Sequence, residues 1–324
     1  MGAGVGGLAT AVRLLSKGYS VKVYEKEQNI GGKVNQIETD NFKFDLTASI
    51  LMTPEVYKEV FEYADKDYRD YLEFLSVDPI YRVNYSDGTR RDFSTDITKL
   101  SENLESISID DCHGYLRFLG DVYKKYQIAN NFFLQRTFRT PLDFFNPKIL
   151  SQALRLRTLS NSYRFISKYI EDENLRKFLC FQSLYVGISP YNGPNIYTLV
   201  PTISQIYGLW YLKGGMYSYI KALERLIFEL GGTIENNTNV EEILISEGKA
   251  IGVKTNTNKQ YGDIIICNAD FPYAMNELIK DNRWKGKYSS KKISEMKYSC
   301  STFIIYLGLK KKYPDLTVHN MYLG

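Results

Sequence analysis

The chain has 324 residues, with 41 Lys and Arg against 37 Asp and Glu and a formal net charge of +4. This near balance, without a dense basic run, argues against a nucleic-acid-binding protein. Two histidines and four widely spaced cysteines, with no C-x-x-C pair, argue against a metal site, a histidine-based triad or a disulfide framework. We therefore expect an organic cofactor to carry the chemistry.

Length and hydropathy limit the architecture. A chain of this length is long enough for two domains of ordinary size. Nowhere do 18 apolar residues follow one another, so no transmembrane helix is predicted. Tyrosine is unusually frequent, with 27 residues beside 17 Phe and 2 Trp. The amphipathic ring of tyrosine suits an apolar pocket or a membrane–water boundary. Codon usage in an AT-rich genome gives the same excess of tyrosine, and both interpretations stay open.

Glycines follow the spacing G-x-G-x-x-G over residues 2–7, which read G-A-G-V-G-G. A helix is predicted over Leu8–Lys17 and a strand over Ser20–Tyr24, as in a dinucleotide-binding βαβ unit. Gly2 permits the tight turn, Gly4 lets the backbone approach a pyrophosphate, and Gly7 allows the helix to pack closely on the sheet. The helix N-terminus would then face the phosphate charge.

Glu25 follows the predicted strand, 18 residues beyond Gly7, where such a fold places the acid that binds a ribose hydroxyl. A second glycine pair, Gly31-Gly32-Lys33, begins six residues later. The first motif alone does not separate NAD, NADP and FAD proteins. A βαβ unit also has a strand before its glycine turn, whereas Met1 adjoins the turn here, so we expect a misplaced start codon or a truncated gene.

Between Thr53 and Lys213 the sequence predicts helices that alternate with short strands. The helices are predicted over Val56–Ala64, Tyr115–Gln135, Ile149–Thr158 and Asn161–Ile170. A hairpin is predicted from the strands Ile80–Tyr85 and Thr89–Phe93, because Asp87-Gly88 suits the tight turn between them.

A helix is then predicted over Tyr217–Leu230, after Gly214-Gly215-Met216, and it ends on Gly231-Gly232. Strands complete the prediction. They are Thr233–Asn236, Val240–Ser246, Ala250–Thr255, Asp263–Cys267 and Thr302–Leu309.

Several of these segments resemble the bacterial carotenoid (phytoene) desaturase family, which is flavin amine oxidase-like, and within it the dehydrosqualene (diapophytoene) desaturases. The likeness runs along almost the whole chain. The segments that carry it are Glu25–Lys33, Phe42–Asp45, Asp121–Tyr126, Arg136–Arg139, Phe181–Ile188, Lys213–Tyr217 and Tyr298–Ser301. One departure is Asp45-Leu46-Thr47-Ala48-Ser49, where relatives usually have Gly-Pro after the acid and its neighbour.

The resemblance implies an α/β fold in which a Rossmann-like FAD-binding domain of the glutathione reductase type carries an inserted α+β substrate domain. Residues 1–75 and 214–275 would form the discontinuous FAD-binding domain, and residues 76–213 and 276–324 the substrate and membrane-facing domain. Family members have a strand before the glycine turn and continue beyond Gly324. The chain is therefore expected to be truncated at both ends.

The resemblance also implies FAD as the cofactor. Glu25 would bind the ribose, Lys33 would lie near the phosphates, and a backbone group of Val240 would hold the adenine. The full set of expected cofactor-binding residues is Gly2, Gly4, Gly7, Glu25, Gly31, Gly32, Lys33 and Val240. No residue is assigned to catalysis, and none to a metal.

The implied activity is desaturation of a C30 carotenoid precursor, in which an oxidised flavin accepts a hydride and the adjacent allylic proton leaves. The alternatives are a desaturase, isomerase or oxidase of another carotenoid such as phytoene, an inactive truncated flavoprotein, or a lipid-binding module derived from one. The expected partners are a lipophilic polyene and a membrane surface, with no nucleic acid. The expected location is peripheral, on the cytoplasmic side of the bacterial membrane.

Two mixed aromatic and basic segments, Tyr115–Arg139 and Leu154–Tyr169, allow two interpretations. They form core helices of the substrate domain, or they form a surface that enters one leaflet of a bilayer. In the second interpretation the cations at the lipid headgroups are Arg155, Arg157, Arg164 and Lys168. An exposed apolar patch flanked by these cations would favour it.

Overall fold

The chain divides into two compact units in the computed structural model, which describes residues 1–46, 49–156, 158, 160–299 and 301–324, with the side chains of Pro141 and Phe144 left out. The first unit comprises Met1–Leu75 and Trp210–Tyr298, and the second comprises Ser76–Leu209 and Ser299–Gly324. Five residues of the segments discussed in the sequence analysis lie outside the described part: Thr47, Ala48, Arg157, Leu159 and Cys300.

The predicted domain limits differ from these units in two places. Residues 210–213 and 276–298, which we assigned to the substrate domain, belong to the first unit. Tyr211 and Trp210 pair with a short strand of that unit, Ile50–Leu51. Trp284 lies against Gly248 of the same unit, 3.4 Å from the point where a Cβ on that glycine would stand. These backbone and packing contacts hold both segments in the first unit.

Strands and helices are labelled in chain order over the described residues. The strands β1 to β13 are Lys22–Tyr24, Gln36–Glu38, Lys43–Asp45, Ile50–Leu51, Phe74–Val77, Tyr81–Tyr85, Arg90–Phe93, Leu209–Leu212, Thr233–Glu235, Val240–Ser246, Lys249–Thr255, Lys259–Tyr261 and Asn320–Leu323. The helices α1 to α12 are Val5–Leu15, Pro54–Glu62, Ile97–Glu105, Ile109–Ala129, Pro141–Phe144, Pro147–Leu156, Ser162–Ile166, Glu173–Phe181, Leu199–Tyr207, Tyr217–Glu229, Phe271–Tyr273 and Ser290–Ser294.

The first unit is built around α1 and α10, which pack against each other. Leu8 and Val12 form the fully buried stripe of α1, and Leu223 and Leu226 do the same for α10. Each such side chain stabilises the fold by about 1.5–3 kcal/mol. β1 runs parallel to β9, with Val23 opposite Ile234. The helix–strand alternation predicted for the N-terminal part is therefore present.

A second sheet of the first unit is antiparallel, in the order β10-β11-β12. It contains the predicted strands Val240–Ser246 and Ala250–Thr255 with small shifts of their ends. The prediction of a strand over Asp263–Cys267 is wrong for the described structure, where residues 264–268 carry no regular secondary structure. A strand needs a backbone neighbour along its length, and among the described residues the backbone hydrogen bonds given for this stretch join it to Met1, at its carboxyl end.

The second unit contains the predicted hairpin. β6 and β7 pair antiparallel, and β13 adds to the other edge of β6 in parallel. Asp87 accepts hydrogen bonds from the backbone and hydroxyl of Thr89 and so fixes the turn. Behind the sheet, Phe178 stacks on Phe93 with ring centroids 3.9 Å apart and meets the edge of Tyr81. Aromatic side chains thus form much of this core.

The helices of the second unit correct two predicted boundaries. α4 begins at Ile109, before the predicted start at Tyr115, because Ser108 caps it by accepting a hydrogen bond from the Asp111 amide at 3.0 Å. α7 ends at Ile166, short of the predicted Ile170. None of the helices among the described residues has the length and apolar character needed to cross a membrane.

The predicted strand Thr302–Leu309 is also absent, since residues 301–309 carry no regular secondary structure. Phe303, Ile305 and Leu307 are 91, 66 and 68% exposed. A strand forms when a neighbouring backbone pairs with it, and no described strand pairs with this segment. The prediction of a strand here is therefore wrong for the described structure, because the backbone pairing that a strand requires is not formed.

Candidate functional site

The glycine turn leads into α1, and a backbone hydrogen bond holds it against the end of β1. Gly2 has a φ of +86°, a conformation that L side chains rarely adopt, and its amide donates to the Tyr24 carbonyl at 2.8 Å. A Cβ on Gly7 would overlap the Gly2 carbonyl oxygen, so this glycine lets the first turn of α1 approach the backbone of Gly2. Gly4 is the N-cap of α1 and makes no side-chain capping bond.

The second glycine pair lies directly against the first turn. The Gly31 amide donates to the Ala3 carbonyl at 2.8 Å, and Gly31 forms a parallel bridge with Gly4. Gly31 and Gly32 have φ values of +116° and +59°. A Cβ on Gly32 would lie 3.3 Å from the Gly4 Cα, so side chains are excluded where the two turns meet. The fold therefore brings the two sequence motifs together as one bare backbone surface.

Glu25 holds the glycine turn in place through hydrogen bonds of its side chain to backbone amides. Its carboxylate accepts hydrogen bonds from the Ala3 amide at 2.8 Å and the Glu27 amide at 3.1 Å, and the residue is only 6% exposed. Each carboxylate oxygen has two lone pairs, so each can accept a further donor from the cavity side. The position leaves Glu25 able to bind a hydroxyl, as we predicted for the ribose, and also gives it a structural role.

A cavity of about 770 Å³ opens over these turns, and all its lining residues belong to the first unit. It is lined by seven of the eight residues predicted to bind the cofactor: Gly2, Gly4, Glu25, Gly31, Gly32, Lys33 and Val240. Lys33 is exposed, and Val240 is the buried first residue of β10. Gly7 lies instead in the helix packing behind the turn. The cavity size is typical of a site for an organic cofactor.

Backbone donors and mixed charge characterise the cavity. α1 begins at its wall with no acidic residue in the first turn. The free amides of a helix N-terminus and its dipole favour an anion there. Lys26 and Lys33 supply cationic groups to the lining, while Glu25 and Asp270 supply acids. This set fits a ligand with a phosphate-like centre and a hydroxyl-bearing end.

Sequence reasoning missed several lining residues. They are Met1, Val5, Tyr24, Lys26, Val34, Thr238, Asn239, Asn268, Ala269, Asp270, Tyr273 and Leu278. Asn268 and Ala269 come directly after the predicted strand Asp263–Cys267, so their place at the end of a strand was accessible from the sequence. Tyr273 had no such signal. The Asn268 side chain approaches the turn closely, with its amide nitrogen 3.3 Å from where a Cβ on Gly4 would stand.

Asp45 ends the second N-terminal segment of the resemblance and has a structural role. Its carboxylate accepts hydrogen bonds from the amides of Met216 and Tyr217, at 2.8 and 3.3 Å, at the start of α10. A Cβ on Gly215 would overlap this carboxylate, so the glycine pair at 214–215 makes room for it. The unusual residues Thr47 and Ala48 that follow lie outside the described structure.

Comparisons with known proteins identify the chain's relatives. Residues 5–315 match the family described as flavin containing amine oxidoreductase. The chain is 40% identical to a 4,4'-diapophytoene desaturase (4,4'-diaponeurosporene-forming) of Staphylococcus haemolyticus and 41% identical to that of Staphylococcus aureus strain Newman. Each comparison covers 99% of this chain, which spans only 65% and 64% of the two relatives.

A solved structure gives the same fold. An oxidoreductase from Methanosarcina mazei superposes with a TM-score of 0.60 at 20% identity, over 86% of this chain and 60% of the other. The likeness confirms the predicted α/β fold class with its Rossmann-like domain. The family match also indicates a flavin as the class of cofactor. On the extent of that match, the chain belongs to the flavin containing amine oxidoreductase family.

Proposed function

We propose that this chain carries the FAD-binding part and much of the substrate region of a desaturase acting on a C30 carotenoid precursor, dehydrosqualene. The observation that carries the proposal is the single cavity on which seven predicted cofactor residues converge. The relatives named 4,4'-diapophytoene desaturase support the substrate class. Because the chain spans about two thirds of their length, the activity is a proposal about this polypeptide.

FAD is the flavin that the cavity fits best, because the lining offers groups for both halves of a dinucleotide. The bare backbone of Gly2, Gly4 and Gly31 and the start of α1 would hold the pyrophosphate, with Lys33 beside it. Glu25 would hold the ribose, and a backbone group of Val240 would hold the adenine. A shorter flavin, which lacks the adenosine half, would leave Glu25 and Val240 without a ligand.

A bound flavin would supply a two-electron acceptor for the removal of two hydrogens from adjacent carbons of the substrate, with formation of one C=C bond. The residues of this chain bind and orient the cofactor and exclude water from it. We assign no catalytic base. A delocalised allylic system needs little acid–base assistance, so positioning of the carbon chain is the main contribution expected from the protein.

The test starts with the purified chain. Its absorbance spectrum and the released cofactor would be measured, and the FAD-loaded chain would then be incubated with dehydrosqualene in liposomes while the visible polyene absorbance is followed. New long-wavelength bands that depend on FAD support the proposal. Bound FAD without any product identifies an inactive flavoprotein, and turnover of phytoene in place of dehydrosqualene would contradict the substrate class.

We also propose that the second unit associates peripherally with the cytoplasmic face of a bacterial membrane, where a water-insoluble polyene dissolves. The support is an apolar surface over residues 134–156, here called the 134–156 patch. Its large exposed side chains are Leu134, Phe138, Leu142, Phe145, Leu150 and Leu154, with exposures between 37 and 80%. Its charged residues are Arg136, Arg139, Asp143, Lys148 and Arg155. Cations beside an apolar surface suit anionic lipid headgroups.

This patch differs in position from the segments that we expected. Tyr115, Phe118 and Phe165 are buried core residues, so most of Tyr115–Arg139 and the end of Leu154–Tyr169 agree with the core-helix interpretation. Arg164 and Lys168 are exposed on α7 and just after it, away in sequence from the patch. Of the four cations that we named, Arg155 alone belongs to the patch, and Arg157 lies outside the described residues.

Vesicle flotation tests the membrane proposal. A variant carrying Leu142→Ser and Leu154→Ser removes two side chains that are 80 and 72% exposed, and we expect at least tenfold weaker binding to vesicles that contain phosphatidylglycerol. Val56→Ser changes a 61% exposed side chain of the first unit and serves as the matched control. Equal binding of all three proteins would refute the role of the patch.

A further inference from the structure

Positive charge is concentrated in one stretch of the first unit. Residues 280–297, here called the 280–297 surface, contain seven Lys and Arg against two acids, a net charge of +5 on 18 residues. The whole chain carries +4, so the rest of the chain carries −1. The cations are Lys280, Arg283, Lys285, Lys287, Lys291, Lys292 and Lys297, and the acids are Asp281 and Glu295. The entire stretch belongs to the first unit.

Neighbouring acids do not neutralise the lysines of this surface. Asp281 pairs with Arg283 at 2.6 Å, whereas over the described residues none of the six lysines forms an ion pair. Five of the six are exposed. Three lysines elsewhere in the first unit, Lys22, Lys43 and Lys213, each meet a glutamate at 2.6–2.7 Å. The excess charge of the 280–297 surface is therefore open to a partner outside the chain.

Packing contacts fix this surface on the first unit. The ring of Tyr288 meets that of Phe271 edge to face, with ring centroids 4.8 Å apart. Trp284 lies beside Gly248, and Ile293 is buried at 2% exposure. Because these side chains hold the backbone in place, the lysines between them are presented by a folded surface and not by a loose tail.

The residue types indicate a lipid surface as the partner. Six of the seven cations are lysine, and the one arginine is already paired. Protein interfaces are instead enriched in arginine and depleted in lysine. Clusters of about four to eight basic residues bind the anionic headgroups of a membrane. Trp284, which is 41% exposed among these lysines, has the amphipathic ring that is enriched at membrane–water interfaces.

We infer that the 280–297 surface binds anionic phospholipid headgroups through its unpaired lysines. The attraction is electrostatic, because Trp284 is the one large apolar side chain exposed among the described residues of this surface. It differs in this from the 134–156 patch, which exposes six large apolar side chains. The inference extends the proposed membrane association to the first unit, and it does not depend on the proposed desaturase activity.

Flotation of the full chain with phosphatidylcholine vesicles, with and without phosphatidylglycerol, tests the inference. The surface variant removes three exposed charges of the 280–297 surface: Lys287→Gln, Lys291→Gln and Lys292→Gln. The control variant removes three exposed charges elsewhere in the first unit, and so has the same net charge: Lys17→Gln, Lys66→Gln and Lys259→Gln. An arginine variant keeps the charge of the surface: Lys287→Arg, Lys291→Arg and Lys292→Arg.

We expect the surface variant to bind the anionic vesicles about 100-fold more weakly than the parent chain, since each lysine near such a surface strengthens binding about fivefold. The control should stay within about threefold of the parent, and the arginine variant should bind as the parent does. Raising the salt from about 0.1 M to about 1 M should remove most of the difference between parent and surface variant, because the Debye length falls from about 10 Å to about 3 Å.

Equal losses in the surface and control variants would overturn the inference, because net charge alone would then explain the binding. Weak binding of the arginine variant would also overturn it, since the charge would be intact. If duplex DNA bound the parent chain as tightly as the anionic vesicles at the same salt, the surface would attract any polyanion and the assignment to lipid would be wrong. Unchanged binding of the surface variant would leave membrane binding to the 134–156 patch.

Discussion

Substitution of Glu25 by glutamine tests the centre of the site. The carboxylate of Glu25 accepts two backbone hydrogen bonds while 6% exposed, and glutamine keeps its volume but replaces one acceptor oxygen with an NH2 group. Either the Ala3 amide or the Glu27 amide then faces a donor. A hydrogen bond to a charged group contributes about 1.5–3 kcal/mol, so we expect the free energy of unfolding of the first unit to fall by about that amount.

Flavin binding gives the second measurement on this variant. If the same carboxylate also accepts a ribose hydroxyl, the FAD dissociation constant should rise by about tenfold to 150-fold, since about 1.4 kcal/mol corresponds to a factor of ten. The assay combines urea unfolding, followed by tryptophan fluorescence, with FAD titration of the folded protein. A loss of stability with unchanged FAD affinity would refute the ribose role and leave the structural one.

Glu27→Gln is the matched control, because it makes the same change of charge two residues away on an exposed side chain. The Glu27 amide still donates to Glu25 in this variant, since only the side chain changes. We expect it to stay within about 0.5 kcal/mol of the parent chain. If the two variants lose the same stability, the reasoning from the buried carboxylate is wrong.

Two further predictions concern the second unit, and circular dichroism checks both. Gly114→Ala places a Cβ against the Tyr169 carbonyl oxygen and should lower the free energy of unfolding of the unit by about 1–3 kcal/mol. Gly120→Ala, on the same helix with open space around it, should raise it by about 0.5–1 kcal/mol. Similar effects of the two substitutions would contradict the close approach of Gly114 to the Tyr169 backbone. Burial lowers the pKa of His319 below its ordinary value of 6.5, so the unfolded chain binds the proton more readily and the free energy of unfolding should fall as the pH drops below about 6.5. His319→Gln should reduce this pH dependence, and an unchanged profile would show that other groups cause it.

Local signals made the N-terminal site predictable from the sequence. Glycine spacing requires no knowledge of distant contacts, because the positive φ of Gly2, Gly31 and Gly32 follows from what a turn needs. The hairpin of β6 and β7 was predictable for the same reason, with Asp87-Gly88 between its strands. In both cases the residues that decide the structure lie within a few positions of one another.

Distant partners explain what the sequence analysis missed. Asp263–Cys267 and Thr302–Leu309 have strand composition, but a strand forms only when another backbone pairs with it, and composition does not reveal the partner. Tyr273 reaches the cofactor cavity through the path of the chain after Asn268, which no local motif encodes. The capping of α10 by Asp45 joins residues 171 positions apart, and no local pattern in the sequence predicts it.

The measurement that tests the central claim most directly is the absorbance spectrum of the purified chain, with identification of the released cofactor. We predict flavin bands near-stoichiometric with protein and the release of FAD, and we predict weaker retention in Glu25→Gln than in Glu27→Gln. A colourless chain that stays free of flavin after FAD is added would contradict the claim that the glycine-lined cavity of this polypeptide binds the cofactor.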